Sequence, residues 1–269
     1  MPENNPEKYK SPEPEIIEAW MFRKKEELPS LLYSLYLLAF VVIISKTYSD
    51  FFYLWVGGIL LFIIGSYLMN NSQRGRSLRV THDQLPEIYE PFEKMCKKLG
   101  LKNVNLYITQ NPVYNAFSFG IVQKSVVFHS SLIDDFTQEE IEWVMAHELG
   151  HIKAGHTVLG VFIPRIPPSL FSFIPEIFFG FYHRNAEYTC DRCAVAVTKN
   201  PVAGVKATLK LIAGSKVAKR IDYSTFANQI RDARDFGVWL AELQASHPFG
   251  TKRINHILQF SKEVLIKKS

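Results

Sequence analysis

Two uncharged apolar runs, Leu28–Ser45 and Phe51–Met69, constrain this chain more than any other feature. They are 18 and 19 residues long, and at 1.5 Å per residue each helix would cover about 30 Å, the hydrocarbon thickness of a bilayer. A helix buried in a soluble core normally carries a polar stripe or a charge. These runs hold only Ser, Gly and interfacial Tyr and Trp among their apolar residues, which predicts membrane spanning. The connection Lys46–Asp50 is short enough to fold the two spans into a tight hairpin.

Charge sets the expected orientation. Arg23, Lys24 and Lys25 precede the first span, and Arg74, Arg76 and Arg79 follow the second. The excess of bases at these outer ends places both the N-terminal side and everything after Asn70 in the cytoplasm. The expectation is a two-pass integral membrane protein, in the inner or plasma membrane if the cell is bacterial. Residues 1–27 read as a polar tail, disordered up to about Glu15 because PENNPEKYKSPEPE cannot bury enough apolar surface. Bases exceed acids after residue 70, but they are scattered, which speaks against nucleic acid as a partner and suits a protein beside anionic lipid. Three cysteines exclude a disulfide framework.

Residues 70–269 read as one α+β domain, mostly helical with a small sheet. Ile88, Phe92, Met95 and Leu99 recur at helical spacing between Asp83 and the stop at Gly100. Val104–Thr109 and Ser125–His129 are strand-like, with a third strand expected around Tyr114–Val122. Thr137-Gln138-Glu139-Glu140 is a capping box, opening a helix whose apolar face is Ile141, Val144, Met145, Leu149 and Ile152.

That helix carries His147-Glu148-Leu149-Gly150-His151. The i, i+4 spacing stacks both imidazoles on one face, where they can grip a single Zn²⁺, one per chain. Glu148 can reach the water that the metal activates and serve as general base. By composition alone the pattern would arise in roughly one chain in sixty. A hydrolytic zinc site usually takes a third protein ligand and keeps one position open. Glu187 is the expected third ligand, with Asp191 one turn on as the carboxylate that orients a ligating histidine. Glu176 is its rival, but it lies in a Pro- and Phe-rich stretch with no evident helix. His156, five residues past His151, points off the metal face and reads as a packing or capping residue. Cys190 and Cys193 form a lone CxxC inside an apparent helix, Asn185–Lys199, and read as small packing residues.

The ordered set resembles the integral-membrane zinc metallopeptidases of the HtpX-like and CAAX prenyl protease-like family: HELGH, then an apolar insertion, then Glu187-x-x-x-Asp191, behind an N-terminal hairpin. Two further segments match. Asn115-Ala116-Phe117 resembles the family's element lining the substrate cleft, and Ser246-His247-Pro248 with Arg253-Ile254 resembles its late His-Pro segment. The resemblance spans roughly residues 30–260 and implies a gluzincin-type fold and a membrane-anchored endopeptidase of peptide bonds in membrane protein quality control or processing. It also implies His247 and Asn115 as groups that stabilise the oxyanion and position a protein or peptide substrate. A non-catalytic membrane scaffold that keeps the fold is the competing expectation.

One departure from the family is the insertion 157–182. Its 26 residues are too few for two crossings, which need about 40. Since His151 and Glu187 must meet on one metal, the expectation is a dipping or re-entrant hairpin broken by Pro164, Pro167, Pro168 and Pro175, with a soluble lid or core loop as the alternative.

Overall fold

The computed structural model describes residues 16–46, 49–120, 123–162, 173–222, 225–226, 229, 242 and 248–265. Ahead of the apolar runs a short helix, α1 (Ala19–Phe22), buries Phe22 in the main core. Ile17 donates its N–H to the Lys98 carbonyl at 2.8 Å. The expected tail of residues 1–27 is therefore ordered from residue 16, because Phe22 and a set of ionic contacts described below fasten it to the domain. Residues 1–15 lie outside the described set.

The two apolar runs form α2 (Glu27–Lys46) and α3 (Ser49–Arg76), which pack against each other as a hairpin. Helix α3 continues beyond Met69 through Arg74 and Arg76, whose charges suit a helix C-terminus. Counting only described residues, no helix is long and apolar enough to cross a membrane; parts of both helices, including Val41 and Ile44, carry side chains outside that set. Many of the described apolar side chains on the hairpin are exposed, among them Leu32, Tyr36, Phe40, Leu61 and Leu68.

The rest is mostly helical around a small mixed sheet. Strands β1 (Leu78–Val80), β2 (Val104–Thr109), β3 (Ala116–Phe119) and β4 (Lys124–His129) lie in the order β1-β2-β4-β3. β2 and β4 run parallel with Leu106 opposite Val126, while β1 and β3 pair antiparallel on either side. β1 had no sequence signal: three residues of mixed polarity are too short to show a period of two. β3 is an edge strand and lies against the helix that carries the histidines. The helix expected after Asp83 is α4 (Pro86–Lys98), delayed until the proline that suits a first helical turn. α5 (Ser130–Asp135) follows β4 directly.

Helix α6 (Gln138–Ala154) runs through the middle of the domain. Its capping box is complete: the Thr137 hydroxyl accepts from the Glu140 N–H and Glu140 accepts from the Thr137 N–H. Ile141, Val144, Met145, Leu149 and Ile152 are all buried, as the spacing predicts. α7 (His156–Phe162) and the first part of α8 (Phe173–Thr198) fall within the expected insertion 157–182; residues 163–172, with Pro164, Pro167 and Pro168, lie outside the described set. α8 starts twelve residues earlier than the sequence suggested. Pro175 is tolerated because it falls in the first turn, where no N–H is needed by the helix. α9 (Pro201–Ala213), α10 (Ser215–Ala218) and α11 (Gly250–Leu265) close the domain, with α6, α8, α9 and α11 in mutual contact.

Candidate metal centre

The site forms where α6 and α8 cross. Gly150 lies between the two histidines, and a methyl group there would come within 2.9 Å of Cys193 Cβ and 3.3 Å of Cys190 Cα. A hydrogen at this position is what lets α8 lie close enough to bring its carboxylates to the imidazoles. Both cysteines are buried free thiols, packed as the sequence suggests, and burial pushes the Cys190 thiol well above its ordinary range.

Glu187 faces both histidines. Its Oε2 lies 3.4 Å from His147 Nε2 and its Oε1 3.5 Å from His151 Nε2. Two donors about 2.1 Å from a tetrahedral ion would be roughly 3.4 Å apart, so the three side chains are spaced as zinc ligands. Cys190 also has its sulfur within 4.8 Å of ligand atoms of His147 and His151. Glu187 differs in facing the Nε2 atoms of both histidines at once. The rival Glu176 is in the same helix as Glu187 but eleven residues earlier, about 16 Å along the axis, too far to share this site. Glu148 is buried beside His147 on α6.

Each histidine has a partner on its other ring nitrogen. His147 Nδ1 is 3.0 Å from Asp191 Oδ1. Asp191, fully buried, is in turn gripped by the Arg253 guanidinium of α11, whose Nε and Nη2 donate to its two oxygens at 3.0 and 2.7 Å. Burial raises Asp191, but the Arg253 charge and the bonds to His147 and Arg253 outweigh it and hold the carboxyl below its ordinary value. For His147, burial lowers the pKa, yet its bonds to Asp191 and Glu187 push it up to about 9. The pocket therefore favours a cation at this imidazole, which is the electrostatic condition a metal needs.

His151 Nδ1 is 3.0 Å from His156 Nδ1, and His156 Nε2 is 3.1 Å from Glu27 Oε1 at the start of α2. The expectation that His156 lies off the metal face holds, but its packing role is more specific: it touches a ligand. Gly155 makes this possible. Its φ of +85° ends α6 in a left-handed residue and turns the chain so that His156 returns beneath His151.

The remaining expected residues lie around this centre. Asn115 is exposed and immediately precedes edge strand β3, its carbonyl accepting from the His129 N–H at 3.0 Å. His247 lies outside the described residues. Just after it, Pro248 is buried and Phe249 donates its N–H to Glu242 Oε1 at 3.0 Å. Sequence reasoning missed Glu27, which it left at the end of the polar tail, and gave Arg253 no charge partner. Both act across more than sixty residues, where local spacing carries no signal.

A model of Peptidase family M48 matches residues 83–176 and 167–261. The chain is 29% identical over 232 residues to the plastoglobule-localized metallopeptidase 48 of Arabidopsis thaliana, covering 78% of this chain and 67% of that protein. It is 26% identical over 255 residues to a protease HtpX homolog of Bacteroides fragilis, covering 76% and 79%. A protease HtpX homolog of Sulfurisphaera tokodaii is 33% identical over 118 residues, 42% of this chain and 36% of that one. Among solved structures, Ste24p of S. mikatae shares the fold with a TM-score of 0.52 at 15% identity, covering 89% of this chain and 66% of that chain. With two thirds of its length matched by the family model, the chain belongs to Peptidase family M48.

Proposed function

We propose that this protein is a membrane-anchored zinc endopeptidase whose metal is held by His147, His151 and Glu187. The observation that carries the reading is the convergence of His147 Nε2 and His151 Nε2 on the Glu187 carboxylate at 3.4 and 3.5 Å. Zinc bound there would lower the pKa of a water and polarise the scissile carbonyl. Glu148 takes the proton of the attacking water and then delivers it to the leaving amine. Asp191 holds His147 as the Nδ1–H tautomer with Nε2 free to ligate, and Arg253 keeps Asp191 ionised and fixed. An extended peptide would pair with β3 beside Asn115, the edge strand among the described residues, main chain to main chain. As the family resemblance implies, His247 and Asn115 would donate to the developing oxyanion.

The hairpin α2–α3 serves as the anchor. Its two charge-free runs and the apolar side chains it leaves exposed support a bilayer location, with the peptidase domain cytoplasmic. Ligand identity is tested by zinc content after dialysis. Glu187→Ala should lose the metal while Cys190→Ser keeps about one per chain. Retention of zinc by Glu187→Ala together with its loss from Cys190→Ser would transfer the third ligand to the thiol.

A further inference from the structure

The first turn of α2 does more than start the hairpin. Glu27 is fully buried. Its carboxylate accepts from Arg23 and from the Thr189 hydroxyl of α8, and Arg23 also donates to the Ala154 carbonyl at 2.6 Å. One stripe of α2, Glu27, Ser30, Leu31 and Ser34, packs on α8, and the two serines are buried with their hydroxyls bonded to α2's own carbonyls. Next door, the Lys24 N–H donates to Thr189 Oγ1 at 3.0 Å and Lys24 Nζ to Asn185 Oδ1 at 2.8 Å. Glu27 is thus seated on the same helix that presents Glu187.

From these contacts we propose that Glu27 is a positioning residue for the metal ligand His151, acting through His156, so that the start of the membrane hairpin is built into the metal centre. This rests on the zinc reading given above. The protons can be assigned by necessity. If His151 ligates through Nε2, its Nδ1 carries hydrogen and donates to His156 Nδ1. His156 must then carry its own proton on Nε2, which donates to Glu27 Oε1. Only a carboxylate accepts at that end while also receiving the Arg23 and Thr189 hydrogens. Cys190 Sγ, 3.5 Å from His156 Nδ1, is a weaker competitor than His151 at 3.0 Å. The imidazole of His156 is kept in plane by edge contact with the Tyr182 ring, centroids 6.1 Å apart. Asp191 with Arg253 fixes one ligating histidine; Glu27 with His156 fixes the other.

The test uses the detergent-solubilised full chain and reads zinc affinity by chelator competition and the Co²⁺ absorption spectrum, beside the melting temperature of the metal-free protein. Glu27→Ala and His156→Phe should each weaken zinc about 10- to 100-fold and shift the Co²⁺ bands. The double variant should lose no more than either single one, because the two residues act in series. Glu27→Gln, which keeps the shape and one acceptor, should retain more affinity than Glu27→Ala and runs the same cycle if the alanine variant does not fold. Affinities within twofold of wild type, or losses that add in the double variant, would overturn the relay while leaving the zinc site standing. Wild type that binds no zinc would overturn the metal reading, and the relay with it.

Discussion

At Asp191 a single buried carboxylate answers to two masters, the Arg253 guanidinium and the His147 imidazole, and its charge makes sense only if both are present. The half-buried His256 is not so supplied. The His256 ring packs tilted against the Tyr188 ring with centroids 4.6 Å apart, and its Nδ1 is buried without a hydrogen bond. Burial is the main reason its pKa falls to about 4 from 6.5. Between those values the unfolded chain binds a proton that the folded one refuses. The stability tied to a neutral His256 is therefore complete above about pH 6.5 and is lost as the pH falls toward 4. His256→Phe, which keeps the ring contact, should flatten the fall in melting temperature across that window. An unchanged slope would mean other groups govern it.

At the scale of elements, the crossing of α6 and α8 decides whether a site exists. Gly150→Ala would set a methyl against Cys193 Cβ at 2.9 Å and Cys190 Cα at 3.3 Å, a Cβ and a backbone atom that no rotamer change can move aside. Such overpacking costs about 1–3 kcal/mol, and separating the helices also draws Glu187 from the histidines. The expected outcome is a lower melting temperature together with at least tenfold weaker zinc binding; normal zinc affinity would detach the ligand geometry from the helix spacing. Elements with strong local signals were readable beforehand. The capping box fixed the start of α6, and β2 and β4 emerged close to the expected bounds. The early start of α8 was hidden because Pro175 looked like a breaker yet falls where a helix accepts one.

For the whole molecule, the convergence of His147, His151 and Glu187 was legible because HExxH and Glu187-x-x-x-Asp191 each carry their spacing within one helical turn. What supports the triad was not, since Glu27 meets His156 across 129 residues and Arg253 meets Asp191 across 62. The bases flanking the hairpin predict that reporter fusions at both chain ends stay on the cytoplasmic side; an extracytoplasmic C-terminus would invert the anchor. In the proposed reaction Glu148 would deprotonate a water beside a zinc held by His147, His151 and Glu187. Its most direct test is the cleavage rate of an unfolded casein by zinc-loaded wild type against zinc-loaded Glu148→Gln. Wild type should cleave, and the variant, with its zinc retained, should lose most of that activity. Equal rates in the two proteins would contradict the account.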